Sequence, residues 1–314
     1  MPHHTSPGVL ASAVCSSLAV VLASAGPAPA DILYLGDTYA DTSHILRFDT
    51  EGTATTPTYV VSNQTGYMRD LSVDAANGRI YWACDTNNLG AYIGSSGLGG
   101  GNLATMNVPE DVYSMTADGP GGYIYYGSLY WDTSGTTRGL TRRGLDGSGP
   151  QIIGTVSSSV VYGVDVDPAA GKVYWGYGNS GIRQTNRDGT SPVDVVTGQS
   201  YVGDVDVDAA RGLVYWISAD AIYRAPIDGS WAPQAILTGM SPLTMALSPD
   251  GDTVYFGNGS YSHAVYKMNA DGSDRTYVTY VYKPVAIDVV VPEPGALALL
   301  AVGGLAVLRR RRRP

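Results

Sequence analysis

Between residues 70 and 290, apolar and β-branched residues come in short runs separated by clusters of Gly, Asn, Asp and Ser. Many runs alternate strictly, as in Val164-Asp165-Val166-Asp167 and Val205-Asp206-Val207-Asp208. Side chains of a strand point alternately to its two faces, so this period of two predicts strands and not helices. The runs follow a fixed order. A short apolar strand ends mostly in Asp, at Asp74, Asp118, Asp167 and Asp208, and a fifth copy ends in Ser248. A Gly-containing turn follows, such as Ala75-Ala76-Asn77-Gly78, and then an aromatic strand such as Lys172-Val173-Tyr174-Trp175. A third strand runs into an Asp-Gly turn at Asp146-Gly147, Asp188-Gly189, Asp228-Gly229 or Asp271-Gly272. Asp-Gly is a strong hairpin signal because the turn needs positive φ. A fourth strand closes each unit, as in residues 151–156 and 234–239.

The unit repeats. Its aromatic pair recurs at Tyr81-Trp82, Tyr125-Tyr126, Tyr174-Trp175, Tyr215-Trp216 and Tyr255-Phe256, with a degenerate copy at Tyr34-Leu35. The steps between copies are 47, 44, 49, 41 and 40 residues. That spacing suits one four-stranded blade of a β-propeller. The aromatic strand occurs six times, but the copy beginning at Asp31 lacks its own first strand. The missing strand appears at the far end of the repeats, at Val285-Ala286-Ile287-Asp288. The expected fold is therefore all-β: a six-bladed propeller over residues 31–290, in which the C-terminal strand closes the N-terminal blade and buries edges that would otherwise be open.

Units such as VDPAAGKVYWGYGNSGIRQTNRDGTSPVDVV resemble the YWTD, or class B, repeats of low-density lipoprotein receptors. The resemblance spans residues 31–290, most clearly 160–275, and implies six blades. It departs after the Tyr-Trp pair. Only the copy ending at Asp85 keeps the motif's Asp, while Gly176-Tyr177 follow Trp175. The fold carries over; a receptor-type ligand does not.

Both ends read as addresses. Val9–Ala25 is rich in Ala, Val and Leu and leads to Ala28-Pro29-Ala30, an A-x-A cleavage pattern, so residues 1–30 are expected to be a signal peptide. Its start holds no Lys or Arg. Residues 291–314 contain Pro292-Glu293-Pro294, an apolar run from Gly295 to Leu308, and then Arg309, Arg310, Arg311, Arg312 and Arg313. This order resembles a PEP-CTERM sorting signal. As a helix, the apolar run would span about 21 Å, short of the ~30 Å hydrocarbon core. It suits a transient hold on the inner membrane, with the arginines kept cytoplasmic. The resemblance implies an exosortase-type protease as processing partner, acting near Pro292-Glu293-Pro294, and a bacterial cell-surface or extracellular destination. The family is associated with bacteria that make exopolysaccharide.

Charge narrows the partners. The chain carries a formal −9, yet without the five terminal arginines and Glu293 there remain 14 basic and 27 acidic residues, a net −13. Such a body repels phosphate backbones and argues against nucleic acid. Cys84 is the only cysteine beyond the signal peptide, which excludes an internal disulfide and predicts a buried thiol.

Candidate chemistry is sparse. After cleavage only His44 and His263 remain, too few for zinc or Ser-His-Asp chemistry. The aromatic pairs are expected to pack between blades, and Asp74, Asp118, Asp167 and Asp208 to cap turns. Asp70, Asp165, Asp204 and Asp206 lie earlier on the same first strands, which ring the channel of a propeller. They are candidate calcium ligands, since calcium takes six to eight oxygens. Tyr39, Tyr130, Trp131, Trp231 and Tyr261 fall outside the repeat core and are candidate ligand-facing aromatics. The expected function is non-enzymatic binding of a polysaccharide or protein at the cell surface. The alternative is a metal-dependent hydrolase resembling propeller lactonases, which use metal-binding acids at one channel mouth.

Overall fold

The computed structural model describes residues 30–291, apart from 54, 87–89, 133–134, 157–159, 178–179, 200 and 260–262. The side chains of 130–137 are likewise outside the description. The expected signal peptide up to Pro29, including Ala28, lies beyond these limits. So do Pro292, Glu293, Pro294, the apolar tail and Arg309 to Arg313. Among the described residues no helix is long and apolar enough to cross a membrane.

The period-two runs form strands, and the strands form six antiparallel sheets of four. Blade 1 consists of Pro284–Val290, Ile32–Tyr39, Thr42–Asp49 and Thr58–Thr65, from the centre outwards. Blade 2 is Tyr67–Asp74, Arg79–Asp85, Ala91–Gly97 and Ala104–Val108. Blade 3 is Asp111–Asp118, Tyr123–Asp132, Gly135–Gly144 and Gln151–Val156. Blade 4 runs Val164–Asp167, Lys172–Gly176, Gly181–Asn186 and Val193–Thr197. Blade 5 runs Val205–Asp208, Leu213–Ser218, Ala221–Pro226 and Gln234–Leu237. Blade 6 runs Pro242–Leu247, Thr253–Asn258, Ala264–Asn269 and Thr276–Tyr280. The innermost strands of successive blades touch around a closed circle.

Closure is as the strand count requires. Pro284–Val290 pairs antiparallel with Ile32–Tyr39, with Ile32 opposite Val290 and Tyr34 opposite Asp288. One blade thus joins the two ends of the repeat region, leaving no innermost edge unmatched.

The core is divided into six clusters, one at each interface between blades. Alternation explains the division, because the two residues of an aromatic pair face opposite neighbours. Tyr34 of blade 1 packs with Trp82 of blade 2, Tyr125 with Trp175, and Tyr174 with Trp216. Tyr81 meets Tyr126, Tyr215 meets Phe256, and Tyr255 meets Leu35 to complete the circle. All twelve side chains are buried. Space for the Trp82 ring comes from its cross-strand partner Gly94, where a Cβ would stand 2.2 Å from the indole. Cys84 is buried in the first of these interfaces, and burial pushes its thiol up to about 11.

The turns follow the sequence signals. In the Asp-Gly turns the Asp carboxylate accepts the amide two residues on, for example Thr190 N–H to Asp188 at 3.0 Å. Gly189 needs its freedom: φ is +83° and a Cβ would meet the Ile153 carbonyl at 2.2 Å. The acids that end the first strands also cap turns. Asp74 accepts from Asn77, Asp118 from Gly121, Asp167 from Ala169 and Asp208 from Arg211.

Candidate functional site: the central channel and its mouths

Each innermost strand is hydrogen-bonded on one side only. Its channel side is a sheet edge, and every second amide there would be an orphan donor. The acids of the neighbouring blade meet this need in two tiers. In the upper tier Asp70 of blade 2 accepts the Met115 amide of blade 3 at 2.7 Å. Asp204 of blade 5 accepts the Met245 amide of blade 6 at 2.9 Å and the Thr244 hydroxyl at 3.0 Å. In the lower tier Asp288 accepts from Val73 at 2.6 Å, Asp165 from Val207 at 2.8 Å, and Asp206 from Leu247 at 2.6 Å. Between blades 2 and 3 a hydroxyl does the same work, Ser72 Oγ accepting the Ala117 amide at 3.1 Å. The side chains thus staple blade to blade where no ladder can form.

Their outer faces line one polar cavity of about 60 Å³, together with Ser72 and Thr116. The sequence brought four of these acids to attention, and the structure adds Asp288 as a fifth. Its position in the closing strand concealed it, because that strand was recognised by its apolar residues. The acids keep some surface, but it faces the narrow lumen and not bulk solvent. Burial therefore dominates their titration. It pushes Asp204 up to about 6 and Asp288 up to about 7, against the opposing pull of their amide donors. Burial and the nearby Asp204 raise Asp70 well above the usual carboxylate range. Asp206 is raised likewise by burial and by its hydrogen-bonding neighbour Asp165, which is itself raised by burial.

Among the described residues no group of three or more His, Cys, Asp or Glu side chains could hold a metal ion. Asp70, Asp165, Asp204 and Asp206 share the cavity, but each has at least one carboxylate oxygen committed to the next blade. Stapling holds each carboxylate against the next blade, while Asp165 and Asp206 also hydrogen-bond to each other across the cavity.

The candidate aromatics scatter. Tyr39, 64 % exposed, sits at one channel mouth with its ring 5.3 Å from Tyr282. Trp231, 40 % exposed, lies instead beside the outer strand of blade 5, under the Arg224 guanidinium at 6.0 Å. Tyr130 and Trp131 belong to the second strand of blade 3, and their side chains lie outside the description, as does all of Tyr261.

A closed six-bladed ring with a narrow acid-lined channel defines the class as a six-bladed β-propeller. Comparison with known proteins agrees. Residues 290–313 match the PEP-CTERM protein-sorting motif, which implies exosortase-mediated processing of an exported protein. A propeller from the crystal structure of a nidogen/laminin complex superposes with a TM-score of 0.71 at 16% identity, covering 82% of this chain and 98% of that one. TolB from Acinetobacter baumannii gives 0.65 at 14% identity, covering 84% and 67%. A protein described as a putative TolB from Agrobacterium tumefaciens gives 0.58 at 12% identity, covering 81% and 89%. At these identities the likeness concerns the fold alone. No curated protein matches the sequence.

Proposed function

We propose that this is a non-enzymatic cell-surface or matrix protein of a bacterium, sorted through an exosortase-type system, whose propeller binds an extracellular polysaccharide or protein through one face. The sorting motif at residues 290–313, placed directly behind a closed propeller, carries the reading. A closed ring with loops at both mouths presents broad surfaces on a rigid frame, which favours recognition. A propeller of this shape also occurs in the crystal structure of a nidogen/laminin complex. The metal-dependent hydrolase alternative gains no ligand cluster among the described residues.

Mass spectrometry of the protein recovered from the native cell surface tests this reading. The expected mature chain begins at Asp31 and ends near Pro294. Surface material that still ends at Pro314 would rule out exosortase processing. A chain found only in the cytoplasm would overturn the reading altogether.

A further inference from the structure

The two mouths of the channel differ in chemistry. At the lower mouth the turns between first and second strands read Ala75-Ala76-Asn77-Gly78, Gly119-Pro120-Gly121-Gly122, Pro168-Ala169-Ala170-Gly171, Ala209-Ala210-Arg211-Gly212 and Pro249-Asp250-Gly251-Asp252. None holds an aromatic residue. At the upper mouth, where the chain enters each innermost strand, stand Tyr282, Tyr67, Tyr113, Tyr162, Tyr201 and Leu243, for blades 1 to 6 in turn.

These side chains form a connected collar. The Tyr162 ring lies 5.6 Å from Tyr113 on one side and 5.6 Å from Tyr201 on the other. Arg69 of blade 2 covers the Tyr113 ring at 5.7 Å, and Lys283 covers Tyr67 at 5.8 Å. Tyr39 and His263 flank Tyr282 at 5.3 and 4.5 Å. Contacts therefore run from blade 5 through blades 4, 3, 2 and 1 to the His263 loop of blade 6, and Leu243 occupies the remaining step. Tyr162, Tyr201, Tyr282 and Leu243 are 37%, 38%, 39% and 46% exposed. Single exposed aromatics need no explanation, but a connected arc around one mouth marks an interaction surface.

We infer that this collar is the binding face, and that its ligand is a polysaccharide chain bearing free amino groups. The inference rests on the binding reading above and deepens it. Tyrosine rings offer flat apolar faces with polar edges, suited to the C–H faces and hydroxyls of successive sugar rings. Charge selects among glycans. The body carries net −13, with 14 basic against 27 acidic residues, and so repels a polyanionic chain. Asp204 stands close enough to influence the Tyr201 hydroxyl, and Asp70 lies in the same upper tier of the channel. Arg69 and Lys283 already cover the Tyr113 and Tyr67 faces, so ammonium groups on a sugar would meet the Tyr162 and Tyr201 faces, with Asp204 beneath.

The test is calorimetric titration of the purified full chain, in mild detergent, with a β-linked glucosamine hexamer. The five terminal arginines would repel this probe, so they cannot supply the binding. The glucosamine hexamer should bind, and its fully N-acetylated form should bind at least tenfold more weakly. Tyr162→Ala with Tyr201→Ala should weaken binding at least tenfold without moving the thermal midpoint, while Trp231→Ala leaves binding unchanged. Equal binding of the acetylated hexamer, or of a lysine hexapeptide, would overturn the ligand assignment, as would no binding at all. A photo-crosslinking residue in place of Tyr201 in the native cell separates the two levels of failure. If it captures some other macromolecule, the amino-glycan is wrong and the binding reading survives. If neither it nor the same residue in place of Trp231 captures anything, both fall.

Discussion

The second residue of each aromatic pair shows how one position serves the whole ring. It is Leu35, Trp82, Tyr126, Trp175, Trp216 and Phe256 in the six blades, and all are buried. Trp216 stacks on Tyr223 at 16° between planes, and Phe256 stacks on Tyr266 at 19° in the same manner. The indole N–H groups of Trp82, Trp175 and Trp216 have no acceptor. The site therefore requires ring volume and not a hydrogen bond. Trp175→Ala should cost ~3–5 kcal/mol in chemical denaturation. Trp231→Ala, on the surface, should cost under ~1 kcal/mol. Trp216→Phe should cost roughly 1–2 kcal/mol, since it removes volume and leaves no partner unsatisfied. Equal losses for Trp175→Ala and Trp231→Ala would show that the division into core and surface aromatics is wrong.

At the same scale, the channel acids set a pH dependence. An unfolded Asp titrates near ~3.9. In the ring Asp204 is pushed up to about 6 and Asp288 to about 7. Between these limits the folded ring retains protons that the unfolded chain has released, so stability falls as pH rises. The contribution is complete below pH ~4 and is lost as pH rises through about 6 and 7. The thermal midpoint should drop by on the order of 5 °C between pH 5 and pH 8. Asp288→Asn should flatten that slope, and a slope unchanged in the variant would show that Asp288 is not the titrating group. Millimolar calcium and a chelator should give the same midpoint, because the staples leave no ligand cluster. A clear rise with calcium would reveal a bound cation.

At the scale of elements, the closing strand carries the largest burden for its length. Ile287 and Val289 pack with Leu33, Leu35 and Tyr255, and Asp288 caps Val73 of blade 2. Seven residues thus complete one sheet, one core cluster and one channel staple. Deleting 284–290 should abolish the cooperative melt of the whole ring. It would leave Ile32–Tyr39 as an open edge and expose two blade interfaces. A truncated chain melting at the wild-type temperature would show that blade 1 holds together without it.

The molecule as a whole is a ring of repeated interfaces, none of which stands alone. Each cluster takes one face from each of two blades, so stability is shared around the circle. This also explains the difference between the two faces. The lower-mouth turns are constrained by tight geometry, with a Gly in every copy and an Asp cap in all but blade 6, where Ser248 takes its place. The upper entrances hold tight glycines of their own, Gly66 and Gly163, yet accommodate the large side chains of the adjacent Tyr67 and Tyr162. A binding surface therefore belongs at the mouth where the fold leaves residue choice open.

The repeat period, the alternation within strands and the missing first strand near Asp31 were enough to specify six blades and their closure. These are local signals, written wherever a strand or turn forms, and local pattern likewise exposed the C-terminal sorting motif. The role of the channel acids was decided only in three dimensions. Asp70, Asp204 and Asp206 look like converging ligands along the chain, yet the donors that claim them, Met115, Met245 and Leu247, lie about forty residues away on the next blade. Nor does sequence place Tyr113, Tyr162 and Tyr201 in contact, since each sits alone at the entrance to its own innermost strand and only the ring sets them side by side. Local pattern specifies each blade; the packing of blade on blade decides which side chains meet.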